Sequence, residues 1–193
     1  MASDQLPTVV RRADLGRLGL SRYRLYELAQ TGEYEQIAPG IYARTGVLDD
    51  TTAGLASVAL RRPEATLCLL SALSLHDLTD EIPRASDIAL PRRARSLTTT
   101  YAKVTWHYFD PATFAIGRQQ HQLVDDIAIG LYSPERTIVD AFRLRHEIGA
   151  DVAGEALRRW LARRTSQPAQ LLQVAKSFSK AYPSVRAALE ILL

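Results

Sequence analysis

The segment from residue 14 to residue 44 constrains the fold of this chain more than any other stretch. Its first residues, DLGRL, predict a short helix with Leu15 and Leu18 on one side. A turn of four residues follows, and within it Ser21 is a good N-cap for a second helix that begins at Arg22. The sequence therefore predicts two helices joined by a tight turn.

The second predicted helix leads into a predicted hairpin. Its apolar residues share one face: Leu25, Leu28 and Ala29. Gly32 ends the helix, and two short alternating segments follow, Tyr34–Ala38 and Ile41–Arg44, joined by a Pro39-Gly40 turn. Helix, tight turn, helix and hairpin is the order of a winged helix-turn-helix, whose second helix can lie in a DNA major groove.

The outward residues of the second predicted helix are of types that bind nucleic acid. Arginine can pair bidentately with guanine, and tyrosine hydroxyls can bind phosphate. The residues predicted to contact DNA from this helix are Ser21, Arg22, Tyr23, Arg24 and Tyr26. Those predicted to contact the DNA beside it are Arg11, Arg12, Arg17 and Arg44. Acidic residues such as Glu27 and Glu35 bring the net charge of this region close to zero, so we expect modest non-specific affinity.

The composition is that of a globular protein from a reducing compartment. The chain has 193 residues, enough for one domain or two small ones, and 47% of them are apolar. Its single cysteine, Cys68, cannot form an internal disulfide. No apolar run is long enough to cross a bilayer, and the N-terminus lacks the pattern of a secretory signal. We therefore expect a cytoplasmic protein, whose net charge of +3 permits a polyanionic partner without requiring one.

The residues on either side of the helix-turn-helix give weaker signals. Residues 1–12 are few and contain Pro7, so the opening helix of a usual winged helix is expected to be missing. After the hairpin, residues 46–50 predict a linker, and Asp50 is a candidate cap for a helix over residues 51–62.

The next stretch is ambiguous. The run at residues 65–70 fits either a buried strand or the entry to a helix. Ser71 is a candidate cap for a short helix that ends at Leu78, and residues 80–84 predict a turn.

From residue 87 the apolar pattern changes to period two, which predicts strands. These are expected at residues 87–90, around Val104, Trp106 and Tyr108, and at residues 122–124 and 127–132, with a turn at Asp125-Asp126. Ser133-Pro134-Glu135 then predicts a helix start, and further helices are expected at residues 152–164, 168–180 and 184–193. The predicted fold is α+β, with a winged helix-turn-helix over residues 1–46 and a mixed α/β domain with a helical end over residues 47–193.

Two basic clusters in the second predicted domain are candidates for additional DNA or partner contacts. One follows a predicted strand and a proline, on what we expect to be an exposed loop, and comprises Arg92, Arg93 and Arg95. The other lies on a predicted helix and comprises Arg158, Arg159, Arg163 and Arg164. Such clusters most often form a solvated face, but together they would allow this domain to follow a DNA backbone or to receive an acidic partner.

Signals for catalysis are weak, and we predict no catalytic residue, metal site or cofactor. His76 with Asp77, and His107 with Asp110, lack the spacing of a zinc site. Scattered acidic residues such as Asp87 do not form the close grouping of a metal-dependent nuclease. No glycine-rich loop suited to phosphate is present. The sequence therefore favours a non-enzymatic protein.

Several stretches together resemble a known bacterial family. They are LGLSRYRLYELAQTGEYEQIAPGIYAR, SALSLHDLTDEIPRASDIALPRRAR and YSPERTIVDAFR, followed by a helical tail. In order and spacing the chain resembles the AbiEi-type antitoxins of type IV toxin–antitoxin systems, which are associated with abortive phage infection and phage defence. The resemblance implies a winged helix that binds operator DNA and represses its own operon. It also implies a C-terminal domain that counters a cognate nucleotidyltransferase toxin, without requiring that the two proteins touch.

In SALSLHDL and YSPERTIVDAFR, the resemblance implies a framework of residues that would pack inward: Leu73, Leu75, Leu78, Ile138, Val139 and Phe142. Arg136 and Asp140 are one helical turn apart and can pair, a contact worth only ~0.5 kcal/mol on the surface, so we assign them to no site.

Two other functions stay open on sequence alone. One is a transcriptional regulator with no toxin partner, whose second domain senses a small ligand in a pocket lined by Trp106 and Tyr108. The other is a protein-binding module whose winged helix no longer binds DNA, which the near-zero charge of residues 1–46 allows. If DNA is the ligand, we expect the missing affinity to come from the second domain or from a second copy bound cooperatively or as a dimer.

Overall fold

The computed structural model describes residues 6–193 and groups the chain into two compact units. The first comprises Met1–Pro63, Leu97–Val104 and His121–Ile129. The second comprises Glu64–Ser96, Thr105–Gln120 and Gly130–Leu193. Residue 46, the predicted domain boundary, therefore lies inside the first unit. The start of the predicted N-terminal domain, residues 1–5, lies outside the described residues.

The helix and hairpin predicted in the first unit are confirmed. Helix α1 spans Arg22–Gln30, and strands β2 (Tyr34–Ala38) and β3 (Ile41–Arg44) form the hairpin. The side chain of Ser21 caps α1, because its Oγ accepts a hydrogen bond from the backbone N–H of Arg24 at 3.0 Å. Gly40 has φ +72°, a value that glycine adopts without strain in a two-residue hairpin turn.

The helix predicted to precede α1 takes a different form. A short 3₁₀ helix covers Arg12–Asp14, and hydrogen-bonded turns then lead to Ser21. The segment DLGRLGL contains two glycines, Gly16 and Gly19, and glycine disfavours a continuous α-helix. The turns still bury Leu15 and bring Leu18 and Leu20 against the same core.

A strand occupies the described part of the chain before this turn. Strand β1 (Val9–Arg11) pairs antiparallel with β3, with Val9 opposite Ala43, and the sheet order is β1-β3-β2. Residues 6–11 therefore contribute a strand rather than a helix. The small core of this region comprises Val10, Leu15, Leu25, Leu28 and Tyr34.

Later segments of the chain contribute to the first unit. Asp125 accepts hydrogen bonds from the Thr8 hydroxyl at 3.1 Å and from the Val9 backbone N–H at 3.2 Å. The Tyr101 hydroxyl donates to Glu35 at 2.8 Å, and this hydrogen bond raises the pKa of Tyr101. The first unit is therefore assembled from three separate stretches of sequence.

Helix α2 (Asp50–Arg61) completes the first unit and begins one residue earlier than predicted. The predicted cap, Asp50, is wrong, because Asp49 takes that role by accepting from the Thr52 N–H at 2.9 Å and the Thr52 hydroxyl at 2.7 Å. These hydrogen bonds lower the pKa of Asp49. Gly54, in the middle of α2, packs closely against the backbone of Ala102.

The rest of the chain forms a mixed sheet and a set of helices. The elements after α2 are β4 (Thr66–Leu67), α3 (Leu69–Leu75), β5 (Ser86–Pro91), β6 (Val104–Phe109), α4 (Pro111–Phe114), β7 (Arg118–Val124), β8 (Ile127–Tyr132), α5 (Pro134–Arg143), α6 (Arg145–Ile148), α7 (Ala150–Leu161), α8 (Pro168–Lys176) and α9 (Tyr182–Leu192). The strand order is β6-β5-β4-β8-β7. Strand β4 runs antiparallel to β5 and parallel to β8. The predicted α+β class is confirmed.

The predicted helix start at Ser71 is wrong. Helix α3 begins at Leu69, and the Ser71 hydroxyl instead accepts a hydrogen bond from the Asp87 N–H at 2.8 Å. The run at residues 65–70 thus supplies both a short strand, β4, and the entry to α3. By contrast, Ser133 caps α5 as predicted.

Apolar residues of α3, α5, α7, α8 and α9 form the main core of the second unit. Leu73, Leu78, Ile138 and Val139 are fully buried there, as predicted, whereas the prediction that Leu75 packs inward is wrong, because it is 46% exposed. Over residues 6–193, no helix has both the length and the apolar character needed to span a membrane.

Candidate nucleic-acid interface

Helix α1 presents one apolar face to the core and one polar, aromatic face to solvent. Leu25 and Leu28 are buried, whereas Tyr23 is 77% exposed and Tyr26 is 61% exposed. Arg22 is also exposed and has no ion-pair partner in the part of the chain that the structure describes. The exposed face of α1 is therefore formed by Arg22, Tyr23 and Tyr26.

Two other arginines predicted to contact DNA are already paired with acids. Arg24 lies 2.8 Å from Glu27, and Arg11 donates from Nη2 to Asp14 at 3.0 Å. The hydrogen bond from Arg11 lowers the pKa of Asp14. Each of these arginines would have to share or exchange its carboxylate to bind a phosphate. Their contribution to DNA affinity is therefore expected to be smaller than that of Arg22.

Arg44 is held within the fold. It donates from Nη2 to the backbone carbonyl of Leu6 at 3.1 Å, and its guanidinium lies 5.6 Å from the ring centroid of Tyr34. Arg12 and Arg17 are exposed. Arg17 also lines, with Arg11, Asp14 and Asp126, a cavity of about 220 Å³ in the first unit.

The first basic cluster of the second unit lies on an exposed loop, as expected. Arg92, Arg93 and Arg95 follow β5 and are all exposed. The Arg92 N–H donates to the carbonyl of Phe109 at 2.7 Å, which holds the start of the loop against β6. Arg92 and Arg93 therefore present exposed side chains at the start of this loop.

The second basic cluster is largely engaged within the fold. Arg158 pairs with Glu155 at 3.0 Å, and Arg159 pairs with Glu155 at 2.6 Å and with Asp80. Arg163 donates to the carbonyl of His76, and Arg164 is exposed. Arg159 and Arg163 therefore connect the end of α7 and the residue after it to residues 76–80, so their positions are explained by contacts within the protein.

The N-terminal geometry agrees with the comparison of the sequence with protein families. Residues 2–45 match the family model of the transcriptional regulators described as AbiEi antitoxins. This AbiEi-type segment contains β1, α1 and the hairpin, and it carries every residue predicted to contact DNA from the first unit. The resemblance seen in the sequence is confirmed over this segment.

Comparison with solved structures supports the fold over the full length. The crystal structure of the RV2827C protein from Mycobacterium tuberculosis has a TM-score of 0.53 at 19% identity, and the match covers 98% of this chain and 77% of that chain. At this identity the likeness concerns the fold alone. No curated protein matches the sequence.

Outside the AbiEi-type segment, His76 and His107 take part in internal hydrogen bonds. His107 Nε2 lies 2.9 Å from Asp87 Oδ1, and His76 Nε2 lies 2.7 Å from the carbonyl of Tyr132. Asp110 caps α4 by accepting from the Ala112 N–H at 2.9 Å. Among the described residues, no group of three or more histidine, cysteine or acidic side chains is placed to hold a metal ion.

The aromatic residues of β6 do not line the cavities that we describe. Tyr108 is 43% exposed and Trp106 is half-buried. The cavity beside Arg17 does not include them, and neither does an open groove of about 430 Å³ between residues 79–81 and α7. Neither of these two cavities is therefore the pocket, lined by Trp106 and Tyr108, that a ligand-sensing domain would need.

Sequence reasoning missed the role of Arg136 and Asp140. The two side chains pair, but both are fully buried, so the small energy expected of a surface pair does not apply. Arg136 Nε lies 2.9 Å from Asp140 Oδ2, and its Nη1 donates to the carbonyls of Thr113 and Ile116 at 2.7 Å each. A signal was present, because Arg136 and Asp140 share a helical face with the apolar Val139.

Aromatic rings enclose this buried pair. The guanidinium of Arg136 lies 4.2 Å from the ring centroid of Tyr132 and 4.4 Å from that of Phe178. Arg143 lies 4.6 Å from the centroid of Phe109 and 2.9 Å from the second oxygen of Asp140. Burial raises the pKa of Asp140, and the two arginines oppose that rise. We call Arg136, Asp140 and Arg143 the buried ionic cluster, which gives YSPERTIVDAFR a structural role.

Proposed function

We propose that this protein is a non-enzymatic transcriptional regulator and antitoxin that binds operator DNA through α1. The observation that carries the proposal is the exposed face formed by Arg22, Tyr23 and Tyr26 within a segment that matches AbiEi-type regulators. A capped helix with an unpaired arginine in its first turn and two exposed tyrosines fits a major groove, where arginine reads guanine and tyrosine binds phosphate.

The affinity of α1 alone would be modest, because acids neutralise much of the positive charge around it. Arg11 and Arg24 form ion pairs with acidic side chains of the protein, and Arg44 donates a hydrogen bond to a carbonyl of the protein's own backbone. Non-specific DNA affinity follows the number of phosphates that are neutralised. We therefore place the additional contacts on Arg92 and Arg93 rather than on the engaged cluster of α7, or on a second copy of the protein at an adjacent half-site.

Titration of labelled DNA from upstream of the gene, at two salt concentrations, tests operator binding. We expect Arg22→Ala to weaken specific binding by roughly 1 to 3 kcal/mol and to relax base preference at one position. Arg24→Ala should have a smaller effect, since Glu27 already compensates its charge. Lys176→Ala, which removes an exposed charge at the end of α8, is the control and should leave binding unchanged. Absent or sequence-independent binding by the unmodified protein would refute the repressor proposal.

Co-expression with the product of a neighbouring nucleotidyltransferase gene tests the antitoxin proposal. We expect the protein to relieve growth arrest caused by that product. If the Arg22→Ala variant also relieves growth arrest, toxin neutralisation does not depend on DNA binding. Growth arrest that persists despite normal levels of the protein would contradict the antitoxin role, and it would leave the DNA-binding result unaffected.

A further inference from the structure

The hairpin of the AbiEi-type segment has almost no wing beyond its strands. Only Pro39 and Gly40 connect β2 to β3. Between Tyr34 and Arg44 the only charged side chains are Glu35 and Arg44 itself. Glu35 accepts a hydrogen bond from Tyr101, and Arg44 donates to the carbonyl of Leu6. The hairpin therefore presents no unengaged cation of its own at its tip.

A cation from another element lies at this tip instead. The backbone N–H of Arg12 donates to the carbonyl of Gly40 at 2.8 Å. A Cβ atom at Gly40 would lie 3.6 Å from Cβ of Arg12 and 3.8 Å from its Cδ, so the Arg12 stem runs beside the turn.

The head of Arg12 is available to a ligand. Arg12 is exposed, and within residues 6–193 it forms no ion pair, unlike its neighbour Arg11, which pairs with Asp14. Because the backbone of Arg12 is hydrogen-bonded to the turn, it is already ordered, and only side-chain torsions are left to be fixed when the guanidinium binds. A planar guanidinium with unsatisfied donors is suited to two oxygens of a phosphate.

From this arrangement we infer that Arg12 replaces the missing wing and binds the sugar–phosphate backbone next to the groove occupied by α1. The inference rests on the proposed DNA-binding function and assigns a positioning role to one residue. Arg12 sets the placement of α1 on the duplex through a phosphate, and it does not read a base. Its loss should therefore weaken binding to all sequences alike.

The test is a titration of the full chain against upstream DNA and against a scrambled duplex, over a series of salt concentrations. We expect Arg12→Ala to weaken binding to both duplexes roughly tenfold and to reduce the slope of log K against log salt by about one. Arg12→Lys should recover much of the slope but less of the affinity, since lysine keeps the charge without the planar fork. Lys180→Ala, which removes one exposed charge outside the first unit, is the matched control.

The outcomes separate this inference from the proposed function. If the unmodified protein binds no DNA, both fail. If it binds the upstream DNA and Arg12→Ala matches Lys180→Ala in affinity and slope, only the role of Arg12 is overturned. A loss confined to the upstream duplex, with an unchanged slope, would also overturn it, because that pattern belongs to a base contact.

Discussion

Replacing Arg136 by leucine is expected to lower the free energy of unfolding by about 3 to 5 kcal/mol, the typical cost of removing one partner of a buried ion pair. The substitution leaves the fully buried Asp140 facing only Arg143, and the carbonyls of Thr113 and Ile116 lose the donor that Arg136 supplies. Denaturant unfolding followed by the fluorescence of Trp160, which is 3% exposed in the same core, measures the loss.

A matched exposed pair provides the control for this prediction. Arg186 and Glu190 have the same spacing in α9 and a similar distance, 2.8 Å, but both are 60% exposed. Arg186→Leu should change the free energy of unfolding by no more than about 0.5 kcal/mol, because exposed ion pairs contribute little. Equal effects of the two substitutions would show that the buried ionic cluster does not stabilise the second unit.

Removal of both charges distinguishes a lost ion pair from lost packing. We expect the double variant Arg136→Leu/Asp140→Leu to be less destabilised than the sum of the two single variants, since neither charge is then left unpaired. Recovery should be incomplete, because the carbonyls of Thr113 and Ile116 stay without the donor that Arg136 supplied.

Gly54→Ala is expected to destabilise the first unit by roughly 3 kcal/mol, the upper end of the usual cost of overpacking. An added Cβ would lie 2.6 Å from the backbone nitrogen of Ala102 and closer still to its Cβ. Since part of the obstacle is backbone, a change of rotamer cannot relieve the clash, and α2 or the segment Leu97–Val104 must move. Thermal unfolding followed by circular dichroism measures the effect.

The same substitution in another helix should have the opposite sign. Gly154 is in the middle of α7, and the nearest atom to an added Cβ is the mobile end of Arg158 at 3.7 Å. Alanine there should stabilise the protein by about 0.5 to 1 kcal/mol, the usual difference in helix propensity. If Gly54→Ala were as harmless as Gly154→Ala, the close approach of α2 to Ala102 would be contradicted.

Elements with strong local signals were predictable from the sequence. The Ser21 cap, Gly32 and the Pro39-Gly40 turn define α1 and the hairpin, and Ser133-Pro134 defines the start of α5. In each case the residues that determine the structure are adjacent in sequence, so cap and turn chemistry suffices.

Features that depend on distant partners were not predictable in this way. Strand β1 forms because it can pair with the edge of β3, which lies about 30 residues later in the chain. Asp49 caps α2, and the sequence alone does not distinguish it from the adjacent Asp50. The burial of Arg136 depends on hydrogen bonds to the carbonyls of residues 113 and 116. The pattern of apolar residues along the sequence does not indicate these contacts. The grouping of residues 97–104 and 121–129 with the N-terminal stretch has no local signal at all.

In the candidate site, too, local features could be predicted from the sequence and contacts with distant residues could not. Helical periodicity was enough to place Arg22, Tyr23 and Tyr26 on the outside. Which arginines are already engaged was harder to foresee. The spacing of Arg24 and Glu27 suggests their pair, but the contact of Arg44 with Leu6 depends on how the chain before β1 returns to the sheet.

The discontinuous first unit sets the order in which a nascent chain can reach its final form. Residues 6–44 leave the ribosome before residues 101 and 125, but the hydroxyl that binds Glu35 belongs to Tyr101, and the carboxylate that binds Thr8 and Val9 belongs to Asp125. A fragment cut after residue 46 or residue 63 lacks both groups. The helix and hairpin therefore reach their full set of contacts only after residue 125 has been translated. Residues 6–44 are thus synthesised well before the first unit can finish folding.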